Sequence, residues 1–217
     1  MKNNVCVRAA VLFLAVLFPV SVTAAVKFDL GLKAGVSIAR IREAYDEPSY
    51  GVEYSDRLTR PVFGAFVAIN LAEWFAIQPE IYLLTQGGKW PDPVIMAPER
   101  LLLRYIHIPI LAVFHPPYQK GKFIPFVLAG PSFDIFLSVR DWYYHFELDE
   151  WILFPLPVSY KSTVGGFVLG AGIVQKLNHF MLILDIRSNI GMSHIGINAP
   201  HEWGRTRALM VMLGVGF

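Results

Sequence analysis

The chain has 217 residues, of which 54% are hydrophobic and 17% charged, well under the roughly 25% charged residues of soluble domains. Its formal net charge is only +2 and Cys6 is its single cysteine. That composition argues against the clustered basic excess of nucleic-acid binders, a disulfide framework and cysteine-built metal sites.

Lys2 and Arg8 flank the start of an apolar run from Ala9 to Phe18, and Ser21, Thr23, Ala24 and Ala25 follow. This is the pattern of a cleaved secretory signal peptide over residues 1–25. The run is shorter than the roughly 20 residues a spanning helix needs. Cleavage after Ala24 or Ala25 would remove Cys6 and both early cations, leaving a formally neutral domain over residues 26–217. No later stretch is continuously apolar over helix-spanning length, so a membrane reading requires strands.

From Lys27 to Ile41 the pattern alternates. Phe28, Leu30, Leu32, Ala34, Val36 and Ile38 share one face, and Asp29, Gly31, Lys33, Gly35 and Ser37 share the other. Period two predicts a strand, and glycine on the polar face suits a crowded barrel interior. Seven more strands are expected at about 61–71, 74–89, 100–114, 122–139, 162–176, 179–194 and 206–217. In the seventh, Phe180, Leu182, Leu184 and Ile186 oppose Asp185, Arg187 and Asn189; in the last, Leu209, Val211, Leu213, Val215 and Phe217 alternate with small residues and methionine.

The connections alternate in length. Long segments at 42–60, 90–99, 140–161 and 195–205 take turns with short ones at 72–73, 115–121 and 177–178. Short periplasmic turns and long external loops are the habit of outer-membrane barrels. The expected fold is therefore all-β: an eight-stranded, antiparallel, up-and-down transmembrane barrel with the long loops outside. Phe217, an aromatic closing an alternating strand, has the form of a C-terminal assembly signal read by the barrel-assembly machinery.

The stretches GLKAGVS (31–37), FAIQPEIYLLTQGGKW (75–90), YIHIPILAVF (105–114), FIPFVLAGPSF (123–133) and VLGAGI (168–173) resemble, in order and spacing, the PorT-type porin-like outer-membrane barrels. Gln78, Pro79, Glu80, Tyr82 and Gly87 carry the most specific part, with Ile108 and Pro109 in support. The resemblance implies an eight-stranded barrel of the small OmpA- and OmpX-like shape. It implies little about activity, and the namesake's involvement in protein secretion does not transfer by motif.

Alternation and composition together nominate Lys33, Gln78, Glu80, Tyr82, His107, Asp134, Asp185, Arg187 and Asn189 as interior residues. An eight-stranded barrel is just wide enough for side chains to fill, and buried charges must pair, so a polar plug is favoured over an open pore. Outside, Trp142, Tyr143, Tyr144, Phe146 and Trp151 stand among four acids with no Lys or Arg within 141–151. Such aromatics suit a partner surface, a membrane-interface girdle or a hairpin that prolongs the wall.

No catalytic, metal or cofactor motif emerges. Ser193 and His194 are the best serine–histidine pair, but neighbours on a strand point to opposite faces, whereas a nucleophile needs its base within reach. His145 and His201, with Glu147, Asp149, Glu150 and Glu202, lack the close spacing of metal ligands. The expected role is structural or surface-interacting in the outer membrane of a Gram-negative-type bacterium. Its expected partners are outer-membrane lipid and an envelope or extracellular protein meeting loops 42–60 and 140–161. The alternatives are a narrow pore or secretion component, a lipid-modifying enzyme, and a soluble lipocalin-like carrier with the greasy face turned inward.

Overall fold

Strict alternation leaves each strand with one face that water rejects, and closing the sheet on itself gives every strand two neighbours and no bare edge. The computed structural model describes residues 26–44, 52–91, 98–116, 122–145, 148–154, 159–197 and 204–217; the expected leader at 1–25 lies outside them. In chain order the strands are β1 (Lys27–Ala44), β2 (Val52–Tyr54), β3 (Leu58–Ala72), β4 (Phe75–Pro91), β5 (Pro98–Phe114), β6 (Phe123–His145), β7 (Glu150–Phe154), β8 (Ser159–Tyr160), β9 (Thr163–Lys176), β10 (Met181–Gly191), β11 (Gly196–Ile197) and β12 (Arg205–Gly216).

Eight of these, β1, β3, β4, β5, β6, β9, β10 and β12, pair antiparallel with their chain neighbours, and β12 returns to β1 to close the barrel. The expected eight-stranded up-and-down barrel is the fold that forms. Its closing seam is long: β1 and β12 pair from Gly31↔Gly216 to Arg42↔Arg205.

The wall decides which face is greasy. Phe28, Leu30 and Leu32 are 64%, 57% and 67% exposed, while Lys33 between them and Ser37 are buried. Leu182, Leu184, Ile186, Leu209 and Leu213 likewise point outward, whereas Asp185 and Arg187 point in. A continuous apolar exterior of this extent is not sustained in water and matches the lipid-facing band of a membrane barrel. The inverted, lipocalin-like arrangement, with these leucines lining a cavity, is not the one adopted.

Several boundaries differ from the sequence expectation. β6 runs to His145, and β7 pairs back onto it from Asp141↔Phe154 to His145↔Glu150, so much of segment 140–161 is a hairpin prolonging the wall. Segment 42–60 contributes β2, which pairs with β1, together with the start of β3. The first short turn is Glu73–Trp74 and not Ala72–Glu73, because the register shifts between Asn70 and Ala72. Trp74 leaves the strand to stack on Phe114 at 6.3 Å. The seventh barrel strand ends at Gly191, so Ser193 and His194 lie beyond it.

Candidate functional site

The register builds the lumen. Lys33 pairs with Gly64, Gly64 with Tyr82, Tyr82 with His107 and His107 with Asp134, so five neighbouring strands carry a row of facing positions across the interior. All nine interior candidates, Lys33, Gln78, Glu80, Tyr82, His107, Asp134, Asp185, Arg187 and Asn189, are buried there.

Five of them, Lys33, Gln78, Glu80, Asp185 and Arg187, form one connected network. Lys33 Nζ donates to Glu80 Oε1 at 2.9 Å and to Asp185 Oδ2 at 2.8 Å. Arg187 donates from Nε and Nη2 to the two oxygens of Asp185 at 3.0 and 2.7 Å. Its Nη1 also bonds Glu80 Oε2, and Gln78 Nε2 reaches Glu80 Oε1 at 2.6 Å. Two cations thus face two carboxylates, and the forked guanidinium suits bidentate pairing. The Tyr82 ring lies 5.7 Å from the Arg187 guanidinium and the Phe66 ring 4.9 Å from Lys33 Nζ, each supplying a polarisable face for the cation. Beside this quartet, His107 Nδ1 bonds Asp134 and Ser132 Oγ donates to Asn189 Oδ1 at 3.3 Å.

Glycine makes room for these long side chains. A Cβ on Gly170 would sit 2.7 Å from Arg187 Cβ, and one on Gly214 would sit 2.7 Å from Lys33 Cγ. Both positions face the lumen beside the charges they accommodate.

Apolar layers flank the polar belt. Toward the short-turn end, Phe66, Leu111, Phe126, Leu128 and Val168 pack across the interior; toward the long-loop end, Ile41, Leu101, Leu103, Tyr105, Val164 and Ile195 do so. These layers were not legible in the sequence, because in β5 both faces are apolar and alternation carries no signal there. Sequence reading set Ser37 on the polar face of β1 but missed Gln86, Ser132, Asp141 and Thr206 as buried polar residues; Gln86, Ser132 and Thr206 fall on the inward parity of their strands, which was the available clue, whereas the register shift in the β5–β6 ladder puts Asp141 on the opposite parity.

At the short-turn end the lumen opens into a vestibule of about 850 Å³. Ala68, Ala76, Val113, Ile124 and Phe126 are among its walls, Lys33 and Gln78 belong to its floor, and Lys27, Lys176 and His179 stand near its mouth. His115, also in the wall, packs its ring 5.9 Å from that of Phe126. Burial, and then the charge of Lys176, hold its pKa below the usual 6.5 against an opposing backbone hydrogen bond to Pro125.

Residues 23–196 match the family described as outer membrane protein beta-barrel domain. The chain belongs to that family. Among solved structures it is similar to the outer membrane protein OprG from Pseudomonas aeruginosa, with TM-score 0.53 at 11% identity over 90% of this chain and 98% of that one. Ail, the attachment invasion locus protein of Yersinia pestis, gives TM-score 0.43 at 10% identity over 88% and 99%. The outer membrane protease OmpT from Escherichia coli gives TM-score 0.44 at 9% identity over 90% and 98%. At these identities the likeness is one of fold. No curated protein sequence matches the chain.

In an outer-membrane barrel the short turns are periplasmic and the long loops external, so the vestibule faces the periplasm and the β6–β7 hairpin faces outward. On that hairpin Tyr144 and Trp151 meet edge to face at 5.5 Å, and the Arg100 guanidinium lies 3.9 Å from the Trp151 ring centroid. The Tyr144 hydroxyl donates to Asp149, which sits in the turn with φ of 54°, a left-handed conformation that Asp tolerates better than most residues. Trp142 is half-buried and pairs with Leu153. Tyr143 pairs with Ile152 through its backbone, and Phe146 lies outside the described residues. Four of the five aromatic candidates therefore lie on one hairpin that pairs with β5.

The serine–histidine pair finds another geometry. Ser193 Oγ accepts the Gly165 N–H at 3.2 Å, and its backbone N–H donates to the Gly165 carbonyl at 3.2 Å, so the hydroxyl helps anchor the end of β9. Among the described residues no three His, Cys, Asp or Glu side chains cluster as a metal site; His201, Glu147 and Glu202 lie outside them. Phe217 exchanges backbone hydrogen bonds with Leu30 at 2.8 and 3.0 Å, and its ring is exposed on the periplasmic rim.

Proposed function

We propose that this outer-membrane barrel acts as a sealed wall element that presents an external surface, without catalysis and without a conducting lumen. The observation carrying the proposal is the four-charge network of Lys33, Glu80, Asp185 and Arg187, whose ion-paired side chains are 0–1% exposed. With apolar layers on both sides, there is no ready file of hydrated polar groups through the interior. The charged belt acts as a stopper. The work then falls to the extracellular extensions: the β1–β3 segment and the β6–β7 hairpin bearing Trp142, Tyr144 and Trp151, a surface suited to an envelope or extracellular protein.

A narrow pore or secretion component is the second reading, favoured by the PorT-type resemblance, with the periplasmic vestibule as its entrance. Planar-bilayer recording of the refolded barrel separates the two. The proposal expects no unitary conductance above background, and steps that appear in the wild type and change on Arg187→Gln would overturn it.

A further inference from the structure

One stretch of the barrel wall lacks its ladder. The last β3–β4 pair toward the loop end is Phe63↔Leu83, and among the described residues the next pairing across that seam is the isolated bridge Asp56↔Lys89. Pro61, which has no N–H to give, and Gly87, with φ of 148°, fall inside the interval. The lumen residues bordering it are polar. Arg60 on β3 shares the parity of Leu58 and Val62, which are 2% and 1% exposed, and so points inward. Gln86 on β4 shares that of Tyr82 and Leu84 and is fully buried. Ser37 on β1, also fully buried, stands directly opposite Arg60 in the register.

These three side chains are short of partners. Among the described residues, Ser37 Oγ, Arg60 Nε and both amide atoms of Gln86 are buried without a hydrogen-bond partner, and no ion pair includes Arg60. The interior acids are committed elsewhere: Glu80 and Asp185 to Lys33 and Arg187, and Asp134 to His107. Asp141, buried toward the loop end, stands on β6 beside Leu101, with β4 and β5 between it and β3. Unpaired buried donors are costly, and a charged one more so. Water would serve the hydroxyl and the amide but leaves the guanidinium charge unanswered; an anion answers all three donors. Its size follows from the barrel, since eight strands leave an interior that side chains can fill, so the ion is small. Ser37 lies four residues, ~13 Å of strand, to the loop side of Lys33, which separates this site from the charged belt. Arg60 is partly exposed, giving a waterborne ion access from the loop side.

We propose that Ser37, Arg60 and Gln86 bind a halide-sized inorganic anion in the loop-side half of the lumen. The Arg60 guanidinium, the Ser37 hydroxyl and the Gln86 amide nitrogen all donate to it, and hydrogen bonds to an ionised acceptor are the strong ones. β1 and β3 are laddered at this height through Ser37↔Arg60, and β4 and β5 through Gln86↔Leu103. The ion therefore ties β3 to β4, the seam that backbone pairing leaves open. The inference stands whether or not the external hairpin has a protein partner.

The test uses the whole barrel refolded in detergent, held in sodium gluconate and titrated with sodium chloride at constant ionic strength. Gluconate is too bulky for the site and screening is the same in both salts, so the difference in Tm reads the bound ion. We expect Tm to rise saturably with chloride, and the amides of Arg60, Val62, Leu84 and Gln86 to exchange hydrogen more slowly. Bromide in place of chloride should give an anomalous diffraction peak among the three side chains. Chloride affinity should fall by about tenfold or more, the order of one charge-assisted hydrogen bond, for Ser37→Ala and for Gln86→Met, and the response should vanish in Arg60→Gln. Arg60→Lys, which keeps the charge, should retain a weakened response and guards against a Gln variant that fails to fold. The same Tm in chloride and gluconate overturns the proposal and assigns the three donors to water. A chloride response undiminished in Gln86→Met and Arg60→Gln, or a bromide peak found only elsewhere, also overturns it, assigning the effect to anions on the outer surface.

Discussion

Replacing Arg187 with Met removes the forked partner of two buried carboxylates and tests whether the lumen is dry. In the wild type, Lys33 and Arg187 balance Glu80 and Asp185, and Arg187 supplies two contacts to Asp185, at 2.7 and 3.0 Å, beside the one from Lys33 at 2.8 Å, along with its bonds to Glu80. The substitution leaves Lys33 between two carboxylates and gives the cluster a net negative charge in a site that solvent does not reach. Removing one member of a buried ion pair costs about 3–5 kcal/mol, and Arg187→Met should fall in that range by urea unfolding in lipid vesicles, followed by tryptophan fluorescence. Arg187→Met/Asp185→Asn restores neutrality, since Lys33 and Glu80 remain. The double variant should therefore be less destabilised than the two single variants together, with a coupling of about 0.5–3 kcal/mol. If each single variant costs under about 1 kcal/mol, as exposed pairs do, and the double is additive, then water solvates these charges and the stopper reading is wrong.

Three further outcomes follow from the same geometry. Gly170→Val should abolish the heat-shiftable folded band on a gel, because its first carbon already falls 2.7 Å from Arg187 Cβ, whereas Ala171→Val on the exposed outer parity should not. His115 should titrate below 6.5 by NMR, and Lys176→Gln should bring it only part of the way back, burial being the larger cause. Since its folded value lies under the unfolded one, the unfolded chain binds the proton more readily and stability declines as pH falls through 6.5 toward the folded value. Tyr144 should ionise above 10.0 in an ultraviolet titration because its hydroxyl donates to Asp149, and Asp149→Ala should return it toward that value.

The fold was legible because membrane barrels write their wall in period two. β1 shows it from Phe28 to Ile38 and β12 from Leu209 to Phe217, and Leu30, Leu32, Val36, Leu209, Leu213 and Val215 on the outward parity are exposed. β10 shows it as well, with Asp185, Arg187 and Asn189 inward between Leu184, Ile186 and Ile190. The interior charges were legible for the same reason, because a charge on the lipid face is costly and parity leaves it only the lumen. Which charge meets which was not legible. The contact between Lys33 and Asp185 spans 152 positions, and it depends on the registers of β12 with β1 and with β10, which set Lys33 opposite Gly214 and Asp185 opposite Met212. Segment 42–60 was read as a loop because β2 is short, and for 140–161 a hairpin prolonging the wall was one of the readings, its strand bounds hidden because aromatic and charged residues interrupt the alternation. Their pairing comes from continuing β1 and β6, which no local pattern announces.

One register serves both sides of the closing seam. The β1–β12 pairing that seats Lys33 against Gly214 inside also sets Arg40 against Arg207 outside, so interior packing and exterior charge are not independent. A side chain at position 214 would meet the Lys33 stem at 2.7 Å, which makes that pairing a requirement of the stopper. A change of one residue in register would turn every side chain of β12 to the wrong face, putting Leu213 beside the charges and Met212 toward lipid. The opposed arginines are thus held together by a seam whose register the interior also constrains. The consequence is that one ladder fixes both faces of a wall one residue thick: inside it seats Lys33 in the four-charge network, and outside it sets Arg40 beside Arg207 and Arg42 beside Arg205.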